Sequence, residues 1–152
     1  GDIDMQRVDW KRAISDYEQI RKIAPDDERA RLMLVELYYR MARPDRAIAE
    51  LDDLIKTYRA SGKTARLVAI LEDAVRDRPD DIPLRARIAQ AYLDGGNVEQ
   101  AVQHLDKLGD LQLTAGRVED AKKTIQVILR LNPPNAAAYR QLLEQLGGPA
   151  RR

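Results

Sequence analysis

The chain has 152 residues, 44% of them apolar and 34% charged, with a formal net charge of +1. That balance fits a soluble, helix-rich folded chain, and with basic and acidic residues interspersed it implies neither nucleic acid nor an anionic membrane as partner. There is no cysteine, which excludes disulfides, thiol catalysis and thiolate-bound zinc, and no apolar run nears the ~18 residues of a membrane span.

Prolines and glycines punctuate the chain, and the stretches between them carry helical period. Residues 8–23 read as a first helix, with Ala13, Tyr17 and Ile20 on its inner side. Asp27 is placed to cap a second helix over about 28–41, in which Leu34, Leu37, Tyr38 and Met41 recur at i, i+3, i+4 and i+7. Pro44 suits the first turn of a third, which carries Ala47, Ile48, Leu51, Leu54, Ile55 and Tyr58 and stops near Ser61-Gly62. A fourth spans about 63–77, with Leu67, Ile70, Leu71, Ala74 and Val75 on one face, and Pro79 ends it. The same plan then returns over about 82–94, 97–114 and 117–131, with turns at Gly95-Gly96-Asn97 and Gly116, where glycine and asparagine tolerate positive φ. An eighth helix, 136–146, carries Tyr139, Leu142, Leu143 and Leu146, and residues 147–152 read as a flexible tail. No segment reads as a strand.

The return is a repeat of 54 residues. Pro25-Asp26-Asp27 reappears as Pro79-Asp80-Asp81 and, looser, as Pro133-Pro134-Asn135; Tyr38 falls on Tyr92, Ala47 on Ala101, Leu51 on Leu105 and Gly62 on Gly116. A fixed period of this size marks stacked units that cannot bury their apolar faces alone. The expected organisation is one solenoid over 1–146: a partial unit 1–24, full units 25–78 and 79–132, and a partial unit 133–146. Small Ala47 and Ala101 are expected at close helix contacts, and each tyrosine needs a partner for its hydroxyl at the buried edge.

These residues resemble the tetratricopeptide repeat (TPR) family, whose pattern is W-x2-L-G-x2-Y, then A-x3-F, then P, over 34 residues. Frame 28–61 supplies Leu34, Tyr38, Ala47 and Leu51 at those spacings, with Arg31 in the Trp position; frame 82–115 supplies Ile88, Ala89, Tyr92, Ala101 and Leu105. A second frame, 48–81, supplies Leu51, Leu54, Tyr58, Leu67, Leu71 and Pro79, and its counterpart carries Leu105, Leu108, Gly109, Ala121, Ile125 and Pro133. Overlapping frames let one helix close one repeat and open the next. The resemblance implies an all-α, right-handed TPR-like α-solenoid of about eight antiparallel helices.

In TPR proteins the first helix of each repeat lines a concave groove. By that resemblance the partner-facing residues are Arg29, Met33, Glu36, Tyr39 and Arg40 in the first copy, Arg87, Gln90 and Leu93 in the second, and Arg140, Gln141 and Glu144 at the end. Arg and Tyr are common interface residues. The same residues also read as an ordinary solvated face, and with three helices per unit the inner and outer roles alternate between copies. The carboxylate clamp of co-chaperone TPR domains has Leu32 and Glu36 at its positions here, so that specialisation is not implied.

Nothing else reads as chemistry. His104, the single histidine, sits one position before Leu105 and reads as a surface flank; without a second histidine it makes neither a triad nor a histidine metal site. Asp52 and Asp53, neighbours in sequence, point ~100° apart on a helix and, with Asp106 aligned to Asp52, read as a solvated face, and Asp26-Asp27 and Asp80-Asp81 read as caps. Trp10 reads as cover for the core. The glycines match no phosphate loop.

The expectation is therefore a scaffold that binds a protein or peptide on a curved helical surface, with no catalysis, metal or cofactor. Rival expectations are a spacer or self-association module that forms homo-oligomers through its terminal helices, and a regulatory arm of a larger enzyme. The cysteine-free composition fits a cytoplasmic location, and the start at Gly1 reads as the front of an excised piece.

Overall fold

Eight α-helices and no strand make up the described residues, 2–151, of the computed structural model, with side chains described from residue 5. They are α1 (Asp2–Ile23), α2 (Glu28–Arg40), α3 (Pro44–Ala60), α4 (Thr64–Asp77), α5 (Ile82–Asp94), α6 (Val98–Thr114), α7 (Val118–Arg130) and α8 (Ala136–Gln145). They group into two compact units, residues 1–63 with α1–α3 and residues 64–152 with α4–α8.

Helix starts are fixed by side chains that satisfy first-turn amides. Asp27 accepts from the Ala30 amide at 3.0 Å, Asp81 from Leu84 at 2.9 Å and Asn97 from Gln100 at 3.3 Å. Each such cap is worth about 1 kcal/mol. Pro44 takes the first position of α3, where a missing N–H costs nothing.

Four helix ends share one geometry. At the ends of α2, α3, α5 and α6 a residue of positive φ follows the cap: Ala42 (58°), Gly62 (72°), Gly96 (74°) and Gly116 (77°). The next amide reaches back across the turn, Arg43 to the Tyr38 carbonyl, Lys63 to Tyr58, Asn97 to Tyr92 and Arg117 to Gln112, all at 2.8–2.9 Å. This is the 6→1 bond of a Schellman stop. Of these four positions, only Ala42 carries a side chain in the left-handed conformation.

In the first unit α2 packs between α1 and α3. Leu34, Leu37, Ala47, Leu51 and Leu54 fill the contact, and Ala47 is fully buried, so α3 approaches closely. In the second unit each helix packs on the next from α4 to α8. Its core gathers Ala89, Leu105, Leu108, Ile125, Ile128 and Tyr139, and Ala101 is again fully buried. Burying one leucine or isoleucine is worth roughly 1.5–3 kcal/mol, so each unit's stability rests on these interdigitated rows. α1 begins six residues before position 8, the start read from the sequence: Met5 and Val8 face solvent, so their spacing does not register as an inner face, and Ile20, read as an inner residue, is exposed as well. The end of the chain lies along α7, with the Ala150 amide 3.4 Å from Gln126 Oε1 and the Arg151 amide 3.5 Å from Glu119 Oε2.

Candidate interaction surface

Five of the eleven partner-facing candidates lie on α2. Arg29, Met33, Glu36 and Arg40 follow one another at i, i+4, i+7 and i+11, which sets them in a single line along the helix. Arg29 and Arg40 are exposed; Met33 and Glu36 are half-buried. Arg40 Nε donates to Glu36 Oε1 at 3.1 Å, an i,i+4 pair that holds both side chains along the helix. Tyr39 is rotated off this line and half-buried.

The other six are on two helices of the second unit. On α5, half-buried Arg87 turns back to the Pro83 carbonyl at 3.0 Å, and exposed Gln90 donates to Asp94 at 2.8 Å. Arg140 is exposed on α8. The α5 and α8 candidates are thus separate contributions, and only α2 offers a continuous row.

Beneath these surfaces runs a polar layer that positions the helices. Four tyrosines each donate to a carboxylate on another helix: Tyr38 to Glu18 at 2.9 Å, Tyr58 to Glu28 at 2.6 Å, Tyr92 to Glu72 at 2.5 Å and Tyr139 to Asp106 at 2.8 Å. The expected need for a hydroxyl partner is met by a charged acceptor, which makes a stronger bond than a neutral one. Burial, reinforced by the carboxylate, raises the Tyr38 and Tyr139 hydroxyls above the usual phenol value and pushes Tyr92 up to about 12. Asp106 is therefore engaged, not merely solvated.

In each unit an arginine, buried in the first and half-buried in the second, ties down the preceding loop. Arg31, 7% exposed, donates from Nε to the Pro25 carbonyl at 2.8 Å and from Nη1 to Asp53 at 3.1 Å. Its counterpart Arg85 donates from Nη2 to the Pro79 carbonyl at 2.7 Å. These two stand where the TPR pattern places a bulky Trp, and each stitches the loop before its helix. Glu50 is buried against Arg21, which donates to its Oε2, while its Oε1 has no partner. Burial raises the Glu50 carboxyl above the usual carboxylate range, against the pull of Arg21 and Arg31.

His104 corrects the sequence reading. Its side chain is only 12% exposed, and its ring stacks on Tyr92 with centroids 5.5 Å apart and planes at 12°. Arg85 Nη1 lies 3.1 Å from Nδ1, and Glu72 Oε1 lies 3.2 Å from Nε2. A guanidinium N–H only donates, so Nδ1 must accept; Nε2 then carries the proton and donates to Glu72. The ring is held neutral in one tautomer. The wheel position beside Leu105 marked a flank, but α6 faces neighbours on both sides, so its flank is covered as well.

Among the described residues no group of three or more His, Asp or Glu is placed to hold a metal ion, and no helix is long and apolar enough to cross a membrane. The side chains that the sequence reading missed, Glu18, Glu72, Arg31 and Arg85, carry a readable signal: each pair is separated by the 54-residue period.

Solved structures similar to this chain include a thermophilic TPR protein of Thermus thermophilus, at 17% identity and TM-score 0.32 over 95% of this chain and 94% of that one. A mutant of MamA matches at 20% identity and TM-score 0.35, over 95% and 90%. The C-terminal part of a TPR repeat-containing protein from Cytophaga hutchinsonii matches at 14% and 0.33, over 95% and 70%. No curated protein matches in sequence. The tetratricopeptide repeat model matches residues 5–69 and again 58–112, two frames that share a segment as the 54-residue period requires, and the chain belongs to the tetratricopeptide repeat family.

Proposed function

We propose that this chain is a docking scaffold for a polypeptide partner, acting in the cytoplasm and performing no catalysis of its own. Tetratricopeptide repeat proteins are generally protein-interaction scaffolds. The observation that carries the finer reading is the row Arg29, Met33, Glu36 and Arg40 on α2, the helix held from both sides by α1 and α3. A fixed helix loses little conformational entropy when a partner docks. Its row combines cations for pairing with carboxylates and a methionine for adaptable apolar contact. Arg87, Gln90 and Arg140 are separate candidate contacts in the second unit. The test is affinity capture from the source cell with the wild type and with Arg29→Ala/Met33→Ala/Arg40→Ala. The expected result is a protein held by the wild type and lost by the variant, with unchanged thermal unfolding. Equal capture by both would overturn the role of α2.

A second reading, self-association, is favoured by α1. Met5 (69% exposed), Val8, Ile20 and Ile23 (84% exposed) leave apolar surface on the side of α1 away from α2. Light scattering across a concentration series should then give a mass that rises with concentration and falls back for Met5→Ser/Val8→Ser/Ile23→Ser. A mass that stays monomeric throughout would refute it.

A further inference from the structure

The first unit contains a cavity of about 230 Å³ whose deeper wall is formed by Ile14 and Glu18 of α1 with Tyr38 and Met41 at the end of α2. Three exposed cations complete it: Lys11 from α1, and Arg43 and Arg46 from the turn and first residues of α3. None of the three makes an ion pair or side-chain hydrogen bond with a described residue. Glu18 is the one carboxylate in the lining, and it already accepts the Tyr38 hydroxyl.

The second copy of the repeat serves as an internal control. At the positions 54 residues on, three of the four wall residues are kept in kind: Ile14 becomes Val68, Glu18 becomes Glu72 and Tyr38 becomes Tyr92, with the same Tyr–Glu bond, while Met41 becomes Gly95. The cations are not kept. Lys11, Arg43 and Arg46 become Ala65, Asn97 and Gln100, all neutral. At one of these positions the cation also has a cost. Asn97 caps α6, whereas Arg43 stands at the N-cap of α3 and makes no cap bond, which forgoes about 1 kcal/mol of helix stability. The fold therefore needs none of the three cations, and Arg43 works against it.

From this we infer that the cavity is a binding site for a phosphoryl-type dianion. The lining carries a net charge of +2, three cations against one carboxylate. A phosphoryl group carries about −1.5 to −2 at neutral pH and offers three acceptor oxygens, so it neutralises the site and gives each cation an oxygen. A carboxylate supplies half the charge and two oxygens. Arginine is suited to the forked contact that such oxygens make. The site lies on α1 and at the α2–α3 turn, off the Arg29–Arg40 row, and the inference stands whether or not that row docks a partner.

The test is an amide-resolved NMR titration of the full chain at constant ionic strength and pH. Its arms are inorganic phosphate, O-phosphoserine, acetate and chloride. Saturating shifts at Lys11, Arg43 and Arg46 with phosphate or phosphoserine, and not with acetate or chloride, are expected. Tighter binding of phosphoserine assigns the dianion to a modified polypeptide, and equal or tighter binding of phosphate assigns it to a free anion. Lys11→Ala/Arg43→Asn/Arg46→Gln installs the second copy's residues and should weaken binding at least tenfold with the helical signal intact. Arg43→Asn alone, which also supplies the missing cap, should weaken binding while raising the melting temperature. An unchanged titration in these variants, shifts that never saturate, or an equal response to acetate would overturn the proposal.

Discussion

Acidifying the protein should weaken the second unit through one side chain. His104 accepts from Arg85 at Nδ1 and donates to Glu72 from Nε2. Protonation turns Nδ1 into a donor facing a donor, so the Arg85 bond is lost and two cations are brought together. The groups facing the ring are Glu72 from α4 and Arg85 and Tyr92 from α5. Burial is the main cause that lowers the His104 pKa, with Arg85 adding to it and Glu72 opposing. The sign follows from linkage. With the folded pKa below the unfolded value of about 6.5, the unfolded chain binds more protons in the window between them. The stabilisation is complete above about pH 6.5 and is lost as pH falls through the folded pKa, with a slope of at most about 1.4 kcal/mol per pH unit. Because His104 is the single histidine, its imidazole proton resonances need no assignment, and their titration reads the folded pKa directly. Urea unfolding from pH 8 to 5 should show the wild type losing stability relative to His104→Gln. An imidazole titrating at or above about 6.5, or parallel stability curves for the two proteins, would refute the reasoning.

Other consequences can be checked by thermal or urea unfolding. Ala42→Gly should stabilise the first unit by about 0.5–1 kcal/mol, because Ala42 holds φ 58° where the second copy has Gly96 and a left-handed non-glycine residue costs roughly 1–2 kcal/mol, partly offset by glycine's greater freedom when unfolded. Ala47→Leu and Ala101→Leu should each cost about 1–3 kcal/mol by overpacking, since both alanines are fully buried; a neutral effect would mean that the helices can separate freely there. Arg21→Val should cost about 1–3 kcal/mol by stranding the buried Glu50 carboxylate. Adding Glu50→His should recover much of that loss, and strictly additive costs would refute the coupling.

The helices were legible because their punctuation and apolar rows are local properties. Asp27 and Asp81 cap as read, the glycine turns fall at Gly62, Gly96 and Gly116, and Ala47 and Ala101 are buried as the family pattern implies. The polar layer was not legible in the same way. A helical wheel registers one inner face, whereas a helix packed on two neighbours buries a wider arc, and His104, Glu50 and Arg31 lie on its margins. Their side-chain partners sit well away in sequence on other helices, beyond any local window. The candidate row on α2 was legible as a line of spacing.

The two copies of the repeat separate what the helices require from what each unit has added. Asp27 and Asp81, Tyr38 and Tyr92, Glu18 and Glu72, Arg31 and Arg85, and Ala47 and Ala101 are identical because each makes a bond or a contact that the packing depends on. At one buried charged pair the copies differ together. Glu50 faces Arg21 in the first unit, and at the matching positions the second has His104 and Val75. A carboxylate beside Val75 would be buried without its cation, and an arginine beside a neutral His104 would lack its anion. A neutral imidazole instead takes a hydrogen bond from Arg85 on one side and gives one to Glu72 on the other, so the charge balance closes without Arg21's counterpart. Arg31 meanwhile turns to Asp53, whose counterpart is Lys107, paired with Asp80. This buried pair thus changes as a set that keeps the charges balanced. The cations Lys11, Arg43 and Arg46 are a set of the opposite kind: they change together and have no partner among the described residues, as the proposed anion site requires.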